Sequence, residues 1–267
     1  MHQKDLFLAL VSIVYGFSLI ARTLQQNVLQ TYNISCLTVE HFMGTGNVTN
    51  ANSPNDKTAK TVDLYTPISL TFNSDKTILY VANYNAHNVI GYNFTQDKTF
   101  LVAGTGTGGY SGDGGLAIDA KLAEPLNLYF EKHTGMLYFG NSGNIPYRII
   151  NMNSGIISSG PRATRSVSAG PTGEEWIADS FKIYYMALSG YVSNFAGTGG
   201  YGWGGEGIDR LSQQFFNINI IWVDYDAVIY DQYDVYVATQ RRIFRISNIT
   251  GKTYTIIGTG SPKLVLL

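Results

Sequence analysis

The sequence predicts an all-β fold: a β-propeller of four-stranded antiparallel blades, with about four complete blades and an incomplete or open ring. Two repeats along the chain support this prediction. The tripeptide Gly-Thr-Gly begins at Gly44, Gly104, Gly197 and Gly258. A strand pattern ending in a small and then a polar residue recurs as ILYVAN, MLYFGN, EWIAD and VYVAT. Repetition at about 60 residues, with one shorter unit, is typical of propellers or solenoids.

Each repeat divides into four short apolar segments separated by turn residues, with no long helical pattern between them, as expected for a propeller blade. The first unit contains PISLTFN, TILYVAN, NVIGYNF and TFLVAG. A β-helix solenoid is less consistent with the sequence, because its coils are shorter. The predicted blades cover residues 67–104, 125–160, 165–197 and 216–258 within a repeat region of 27–260.

The two ends of the chain read differently from the repeats. Residues 1–21 begin with a short polar stretch and continue as LFLALVSIVYGFSLI, which predicts a signal peptide, with an uncleaved signal anchor as the alternative. Residues 37–46 are interpreted as the outer strand of a blade whose inner strands are absent. Residues 261–267 are a tail or the start of another repeat. The chain is therefore interpreted as a truncated propeller, or an open one that closes through another chain.

Composition argues against one class of partner and favours export. The formal net charge is -1, so no electrostatic footprint for nucleic acid is present. Four N-glycosylation acceptor sequons agree with secretion, at Asn33, Asn47, Asn93 and Asn248. The single cysteine, Cys36, allows no internal disulfide and is expected to be a buried small residue.

One repeat carries a resemblance to a known family. Before a Leu-Tyr strand the repeat has three motifs: Ala103–Gly106, the loop Gly109–Gly115 (GYSGDGG) and Leu122–Pro125 (LAEP). Two further motifs follow that strand, NSGN at 141–144 and Arg-Ile at 148–149. This pattern is similar to the extracellular, teneurin-like form of the NHL-repeat β-propellers. The resemblance is strong over 102–150, weaker over 195–260 and weakest in the first and third repeats.

The resemblance sets expectations for fold and function. It implies a propeller, commonly of six blades, in a family that ranges from adhesion and interaction modules through sensor domains of receptor kinases to an amidating lyase. In that lyase, histidines from different blades hold zinc in the central channel. The histidines of this chain, His41, His87 and His133, are predicted at unlike positions of their blades, which argues against such a site.

The glycine-rich loop does not match a phosphate-binding motif, because neither a Walker Lys-Ser/Thr pair nor a βαβ unit accompanies it. Its glycines are predicted to supply turns with positive φ, and Asp113 to satisfy nearby backbone N–H groups. No cofactor is expected; calcium at Asp113, or at Glu206 in the corresponding loop, is the alternative, although one carboxylate is too few ligands. The candidate binding-face loop residues are Tyr110, Asp113, Tyr201, Trp203 and Glu206.

Aromatic residues on a propeller rim can anchor partners, and Trp203 is the strongest candidate. Trp176 and Trp222 lie within predicted strands and are expected in the core. The acidic, tyrosine-rich stretch 224–234 is predicted to be a long solvated turn. The predicted inner strands offer mainly uncharged side chains to the channel: Ser69, Asn127, Ser168 and Asn219.

These observations favour a secreted or membrane-tethered, non-catalytic module for protein interaction, adhesion or sensing. Its partner would be an unknown protein or glycan, not nucleic acid, and any membrane link would come from an uncleaved N-terminal anchor or a missing C-terminal segment. The alternatives are a metal-dependent lyase or lactonase, which would need metal ligands from several blades, and a fragment without independent function. The sequence predicts no catalytic or metal-binding residue.

Overall fold

The computed structural model describes residues 8–13, 16–21, 40–47, 54–225 and 233–258. Near the N-terminus, β1 (Leu8–Ile13) and β2 (Gly16–Ala21) pair as an antiparallel hairpin, with Leu8 opposite Ala21. The predicted signal peptide or anchor covers this hairpin and remains a prediction. Among the described helices, none combines the length and apolar character needed to span a membrane.

Four further antiparallel sheets follow, each with its main strands in chain order, and they are called blades 1 to 4. Blade 1 contains β3 (Pro67–Phe72), β4 (Ile78–Asn83), β5 (Asn88–Asn93) and β6 (Lys98–Ala103). Blade 2 contains β7 (Pro125–Glu131), β8 (Met136–Asn141), β9 (Pro146–Asn151) and β10 (Ile156–Ala163).

Blades 3 and 4 repeat the arrangement with shorter and longer strands, respectively. Blade 3 contains β11 (Ser166–Ala169), β12 (Glu175–Ala178), β13 (Ile183–Met186) and β14 (Val192–Ala196). Blade 4 contains β15 (Ile208–Asp209), β16 (Ile218–Tyr225), β17 (Tyr233–Thr239), β18 (Ile243–Ser247) and β19 (Lys252–Ile257). The short β15 extends the outer edge beside β19 and was not predicted. The predicted architecture of four-stranded blades is confirmed.

The blades pack face to face because alternate residues of each strand are apolar. Each blade has a forward face, turned toward the next blade in the chain, and a rear face, turned toward the preceding one. Tyr80 on the forward face of blade 1 shares a buried core with Leu137 and Phe139 on the rear of blade 2. Blades 2 and 3 meet through Tyr138 and Ile177.

Blade 3 packs on blade 4 through a third core, in which the forward-facing Trp176 meets Val235 and Val237. Trp176 is 0% exposed, so the prediction that it lies in the core is confirmed. The prediction for Trp222 is wrong. It lies on the forward face of blade 4, which no described blade covers, and it is 44% exposed.

The segment before blade 1 differs from the sequence interpretation. Residues 40–47 form no strand, although an outer blade strand was predicted over 37–46; residues 37–39 lie outside the described ranges. Met43 instead packs on Leu79, Val81 and Tyr92 and covers part of the rear of blade 1.

The connection between blades 2 and 3 lacks the Gly-Thr-Gly loop and crosses directly over β8. A Cβ atom on Gly140 would lie 2.2 Å from the Arg165 carbonyl oxygen. Gly140 therefore stands where the other blades have alanine, because the short connection leaves no room for a side chain.

The stretch 224–234 joins β16 to β17, and its two ends continue their ladder. Tyr225 pairs with Tyr233 and Asp224 pairs with Asp234. Residues 226–232 lie outside the described ranges.

Candidate binding face

The Gly-Thr-Gly loops lie at the end of the blades where the second strands finish and the third strands begin, called here the upper face. In each described loop the first glycine N–H and the threonine N–H donate to carbonyls in the segment leading to the next inner strand. The bonds run from Gly44 to Ala59, Thr45 to Val62, Gly104 to Ala117, Thr105 to Ala120, Gly197 to Arg210 and Thr198 to Gln213. The motif thus builds one repeated loop backbone.

The first glycine of the motif is required for two reasons. Gly104 has φ +93°, a conformation that disfavours residues with a Cβ. Its backbone also rests directly on the turn between β4 and β5, where an added Cβ would lie 2.3 Å from the His87 carbonyl oxygen. Gly197 and Gly258 make the same approach to the corresponding turns of blades 3 and 4, at 2.4 Å each.

The loop after blade 1 is held on blade 2 by a buried arginine. Arg148 on β9 is 0% exposed and places its Nη2 2.9 Å from Asp113 Oδ1. Nη2 also donates to the Ser111 carbonyl at 3.1 Å. Ser159 on β10 donates to the same carboxylate at 3.0 Å and accepts from the Tyr110 hydroxyl at 2.6 Å. Burial lowers the pKa of Arg148, and the neighbouring Asp113 carboxylate opposes this effect.

Asp113 therefore has a role different from the predicted one. The sequence suggested local backbone N–H groups as its partners, whereas the structure places it against the side chains of Arg148 and Ser159. An arginine cation beside the carboxylate also disfavours a second cation there.

The glycine-rich loop before blade 4 uses a related arrangement. The guanidinium carbon of Arg242 lies 4.0 Å from the Trp203 ring centroid, and its Nη1 lies 4.0 Å from Glu206 Oε1. Glu206 Oε2 also accepts the Thr255 backbone N–H at 2.8 Å. In both places an aromatic residue and an acid of the loop lie beside an arginine of the blade that follows. Arg242 lies at the turn before β18, whereas Arg148 lies within β9.

The loop before blade 4 exposes two aromatic side chains on this fixed backbone. Tyr201 is 52% exposed and Trp203 is 42% exposed. Tyr201 makes edge contacts with Phe181 and Phe216, at centroid distances of 6.2 and 5.1 Å. The exposed Arg241 lies over Phe216 at 5.0 Å. These residues form the Tyr201–Trp203 surface, an aromatic and cationic part of the upper face.

A second upper-face cluster was missed from the sequence. The Tyr84 hydroxyl donates to Glu124 Oε2 at 2.6 Å and lies 3.4 Å from Ser142 Oγ, which joins the β4–β5 turn of blade 1 to blade 2. The bond from Tyr84 lowers the pKa of Glu124. Glu124 has φ +50°, unusual for a residue other than glycine. Only its position before Pro125, at the start of an inner strand, marked it in the sequence.

The inner-strand side chains expected to face the channel connect neighbouring blades. Ser69 accepts the Leu128 N–H of the next inner strand at 2.9 Å, and Ser168 accepts that of Val223 at 3.2 Å. Asn127 donates to the carbonyls of Arg165 and Asn219 at 2.9 and 2.7 Å. These polar side chains therefore form hydrogen bonds with backbone N–H and carbonyl groups of other blades, around the central axis of the propeller.

The histidines lie apart, as their register predicted for His87 and His133. His87 follows β4 and accepts the Glu124 N–H through Nδ1 at 3.3 Å. His133 lies in the β7–β8 turn, 2.8 Å from Glu131. His41 lies in the irregular segment 40–47, not on the predicted outer strand. Within the described ranges, no three His, Cys, Asp or Glu side chains are grouped as metal ligands.

Three of the four predicted glycosylation sites fall on described residues. Asn47 is exposed, whereas Asn93 and Asn248 are half-buried. The side-chain oxygen of Asn93 accepts the N–H groups of Thr95 and Gln96 in the β5–β6 turn. Asn33 lies outside the described residues, as does Cys36. Glycosylation at all four sites remains a prediction.

We expect Asp113→Asn to loosen the loop rather than abolish an ion site. Loss of the carboxylate leaves the buried Arg148 cation undercompensated, so the free energy of unfolding should fall by about 1–2 kcal/mol. Limited proteolysis should cut within 109–115 faster than in the parent protein. Asp119→Asn, at an exposed position of the same loop, is the control. A rise in the parent's Tm on adding calcium, lost in Asp113→Asn, would instead support the calcium site.

Comparison with solved structures identifies the architecture. An auxiliary nutrient binding protein from Bacteroides thetaiotaomicron matches with a TM-score of 0.55 and 14% identity, over 84% of this chain and 50% of that chain. A protein of unknown function from the same organism matches with a TM-score of 0.51 and 14% identity, over 73% and 48%. The fold is a β-propeller. The propeller spans about half the length of these two structures.

A third structure, an auxiliary nutrient binding protein from Bacteroides ovatus, matches with a TM-score of 0.48 and 13% identity, over 81% of this chain and 63% of that chain. No protein-family model matches the sequence, and no curated protein matches it. At these identities the propeller shares a fold with the solved structures, and its function must be argued from its own residues.

Proposed function

We propose that this propeller is an extracellular, NHL-type module that binds a protein or glycan partner without catalysing a reaction. The observation that carries the proposal is the Tyr201–Trp203 surface. Its two aromatic side chains are 52% and 42% exposed, yet they stand on a loop held by backbone hydrogen bonds. Exposed tyrosine and tryptophan on a fixed backbone give contact area at a low entropic cost, which favours partner binding.

Further observations support the proposal at a coarser level. The glycine-rich loops, the LAEP segment and the strand motifs resemble extracellular NHL repeats. The apolar N-terminal run and the sequons favour the secretory pathway. One structurally similar protein, from Bacteroides thetaiotaomicron, is described as a nutrient binding protein, which agrees with a binding role at the level of fold alone.

The test compares two faces of the same protein. The chain is produced by secretion, and its binding to an immobilised glycan array and a panel of ectodomains is measured. The double variant Tyr201→Ser/Trp203→Ser should weaken binding by about tenfold or more. The matched control is Leu188→Ser/Tyr191→Ser, at the β13–β14 turn on the opposite end of the blades, where both residues are 70% exposed.

The outcome separates the proposal from its alternatives. Equal loss of binding in both double variants, or loss only in the Leu188/Tyr191 variant, would contradict the assignment of the upper face. Elemental analysis gives an independent check on catalysis. One zinc per chain in the purified protein would overturn the non-catalytic proposal and favour a metal-dependent lyase or lactonase.

A further inference from the structure

One aromatic position is common to the second strands of all four blades. It is occupied by Tyr80, Tyr138, Trp176 and Tyr236. In blades 1 to 3 the next blade covers this residue, and the exposed fractions are 3%, 4% and 0%. In blade 4, Tyr236 is only half-buried, and Trp222 opposite it on β16 is 44% exposed. Blade 4 thus presents the side chains that its predecessors bury against another blade.

The uncovered surface crosses the four main strands of blade 4, β16 to β19. Trp222 pairs with Tyr236, Tyr236 with Arg245, and Arg245 with Tyr254, so the four side chains form one row across the sheet. Tyr254 is 39% exposed, and Ile256 on the same strand is 48% exposed. The ring centroids of Trp222 and Tyr236 lie 5.7 Å apart, close to the 6.4 Å between Tyr129 and Tyr138 of blade 2.

The other end of the described arc has an apolar face that is only partly covered. On the rear of blade 1, Met43 and Ala59 cover Leu79 and Val81. Beside them, four large apolar residues remain 40–45% exposed: Phe42, Leu70, Phe72 and Phe94. Phe94 stacks between Phe42 and Phe72, with centroids at 5.7 and 6.1 Å. This group is called the rear aromatic patch.

The internal blade interfaces show how such faces combine. Each joins an aromatic residue on a forward face to aliphatic or aromatic residues on a rear face, as Tyr80 meets Leu137 and Phe139. The two ends of the described arc carry one more forward face and one more rear face. The forward face of blade 4 is aromatic with one ion pair set in it, Arg245 Nε to Asp234 Oδ2 at 2.9 Å, and the rear face of blade 1 is apolar. A second copy of the chain has a rear face to cover blade 4 and a forward face to cover blade 1. The contact would be of the same type as the three interfaces between blades within the chain.

We propose that the forward face of blade 4 binds the rear aromatic patch of a second copy of this chain. Contacts of this head-to-tail type produce a closed ring where the rotation permits and an open series where it does not. Two copies would bring together eight blades, within the range of known propellers. The association would bury the exposed Trp222 and the phenylalanines of the patch.

The test uses two variants, each of which disables one face. Trp222→Arg disables the forward face and Phe72→Arg the rear aromatic patch; both residues are partly exposed, so folding is checked by circular dichroism and thermal unfolding. The full chain, secreted and enzymatically deglycosylated, is studied by sedimentation velocity over a concentration series. The parent should sediment as a dimer or a larger species. Each variant alone should raise the apparent dissociation constant at least about tenfold.

The head-to-tail geometry predicts a specific result on mixing. Each variant keeps one intact face, so an equimolar mixture should recover association that stops at two chains. Leu188→Ser, far from both faces, should sediment like the parent. A monomeric parent at micromolar concentration would overturn the proposal, including the case in which another segment of the chain covers blade 4. Variants that retain the parent's mass, or a mixture that does not recover association, would overturn it too.

Discussion

Replacing Glu175 with glutamine should stabilise the protein above neutral pH and remove a large part of its pH dependence between about 4.5 and 7. Glu175 on β12 is 5% exposed, between blades 2 and 3, and accepts a hydrogen bond from the Tyr147 hydroxyl of β9. Burial raises its pKa from 4.5 to about 7, because the carboxylate loses hydration that one phenol does not replace.

The sign of the effect follows from proton binding. Between pH 4.5 and 7 the folded protein retains a proton on Glu175 that the unfolded chain releases, so the free energy of unfolding falls as pH rises through this window. Above pH 7 the folded protein bears the full cost of burying the ionised Glu175 carboxylate, roughly 3 kcal/mol for the raised pKa. Because an amide does not ionise, Glu175→Gln avoids this penalty at high pH and differs little from the parent below pH 4.5.

Urea unfolding at a series of pH values from 4 to 8.5 measures the effect. The control is Glu174→Gln, which removes the neighbouring half-buried acid that accepts a hydrogen bond from Thr172. Parallel stability profiles for Glu175→Gln and the parent would show that the buried carboxyl does not titrate in this window.

Gly104→Ala should destabilise the protein by at least about 2 kcal/mol. The residue combines φ +93° with a backbone contact that an added Cβ would shorten to 2.3 Å, against the His87 carbonyl oxygen. Backbone strain alone costs about 1–3 kcal/mol at such positions, and relief of the clash must separate the loop from the β4–β5 turn. The measurement is the free energy of unfolding in urea, with the m-value used to check that compactness is unchanged.

A variant at a second glycine of the same loop distinguishes the cost of backbone strain from the cost of the steric clash. Gly114 has φ +81°, but an added Cβ there would meet no atom within 4 Å. Gly114→Ala should therefore cost only about 1 kcal/mol, from strain alone. Equal losses in the two variants would mean that the close approach of Gly104 contributes nothing, and the structural explanation of the Gly-Thr-Gly motif would fail.

Much of the fold was predictable because its signals are local. Alternating apolar residues and short turns define strands such as β4 and β8 without reference to distant residues. The first glycine of each Gly-Thr-Gly likewise signals a backbone conformation that few other residues adopt. The repeat then predicts that the strands form blades that stack on one another, because a single blade cannot cover its own apolar faces.

The arrangement of the candidate site was less predictable. Tyr110, Asp113, Tyr201, Trp203 and Glu206 were singled out from glycine-rich loops. Arg148 was noted only as part of a strand motif, and nothing local indicated that it or Arg242 contacts a loop. Arg148 reaches Asp113 from β9, the third strand after the loop. The Tyr84–Glu124 bond joins the β4–β5 turn of blade 1 to the LAEP segment before β7, and neither residue's local sequence indicates the other as its partner. These contacts depend on how blades stack, which one sequence does not encode locally.

The sequence by itself determined the propeller architecture, the four-stranded blades and the positions that need glycine, because strand periodicity and backbone conformation are set by neighbouring residues. Only the tertiary structure decided which side chains are covered. Trp176 and Trp222 both lie in blade strands, but the former is 0% exposed and the latter 44%. Burial depends on whether another sheet lies against that face. No described blade lies against the forward face of blade 4, and Trp222 on that face is therefore exposed.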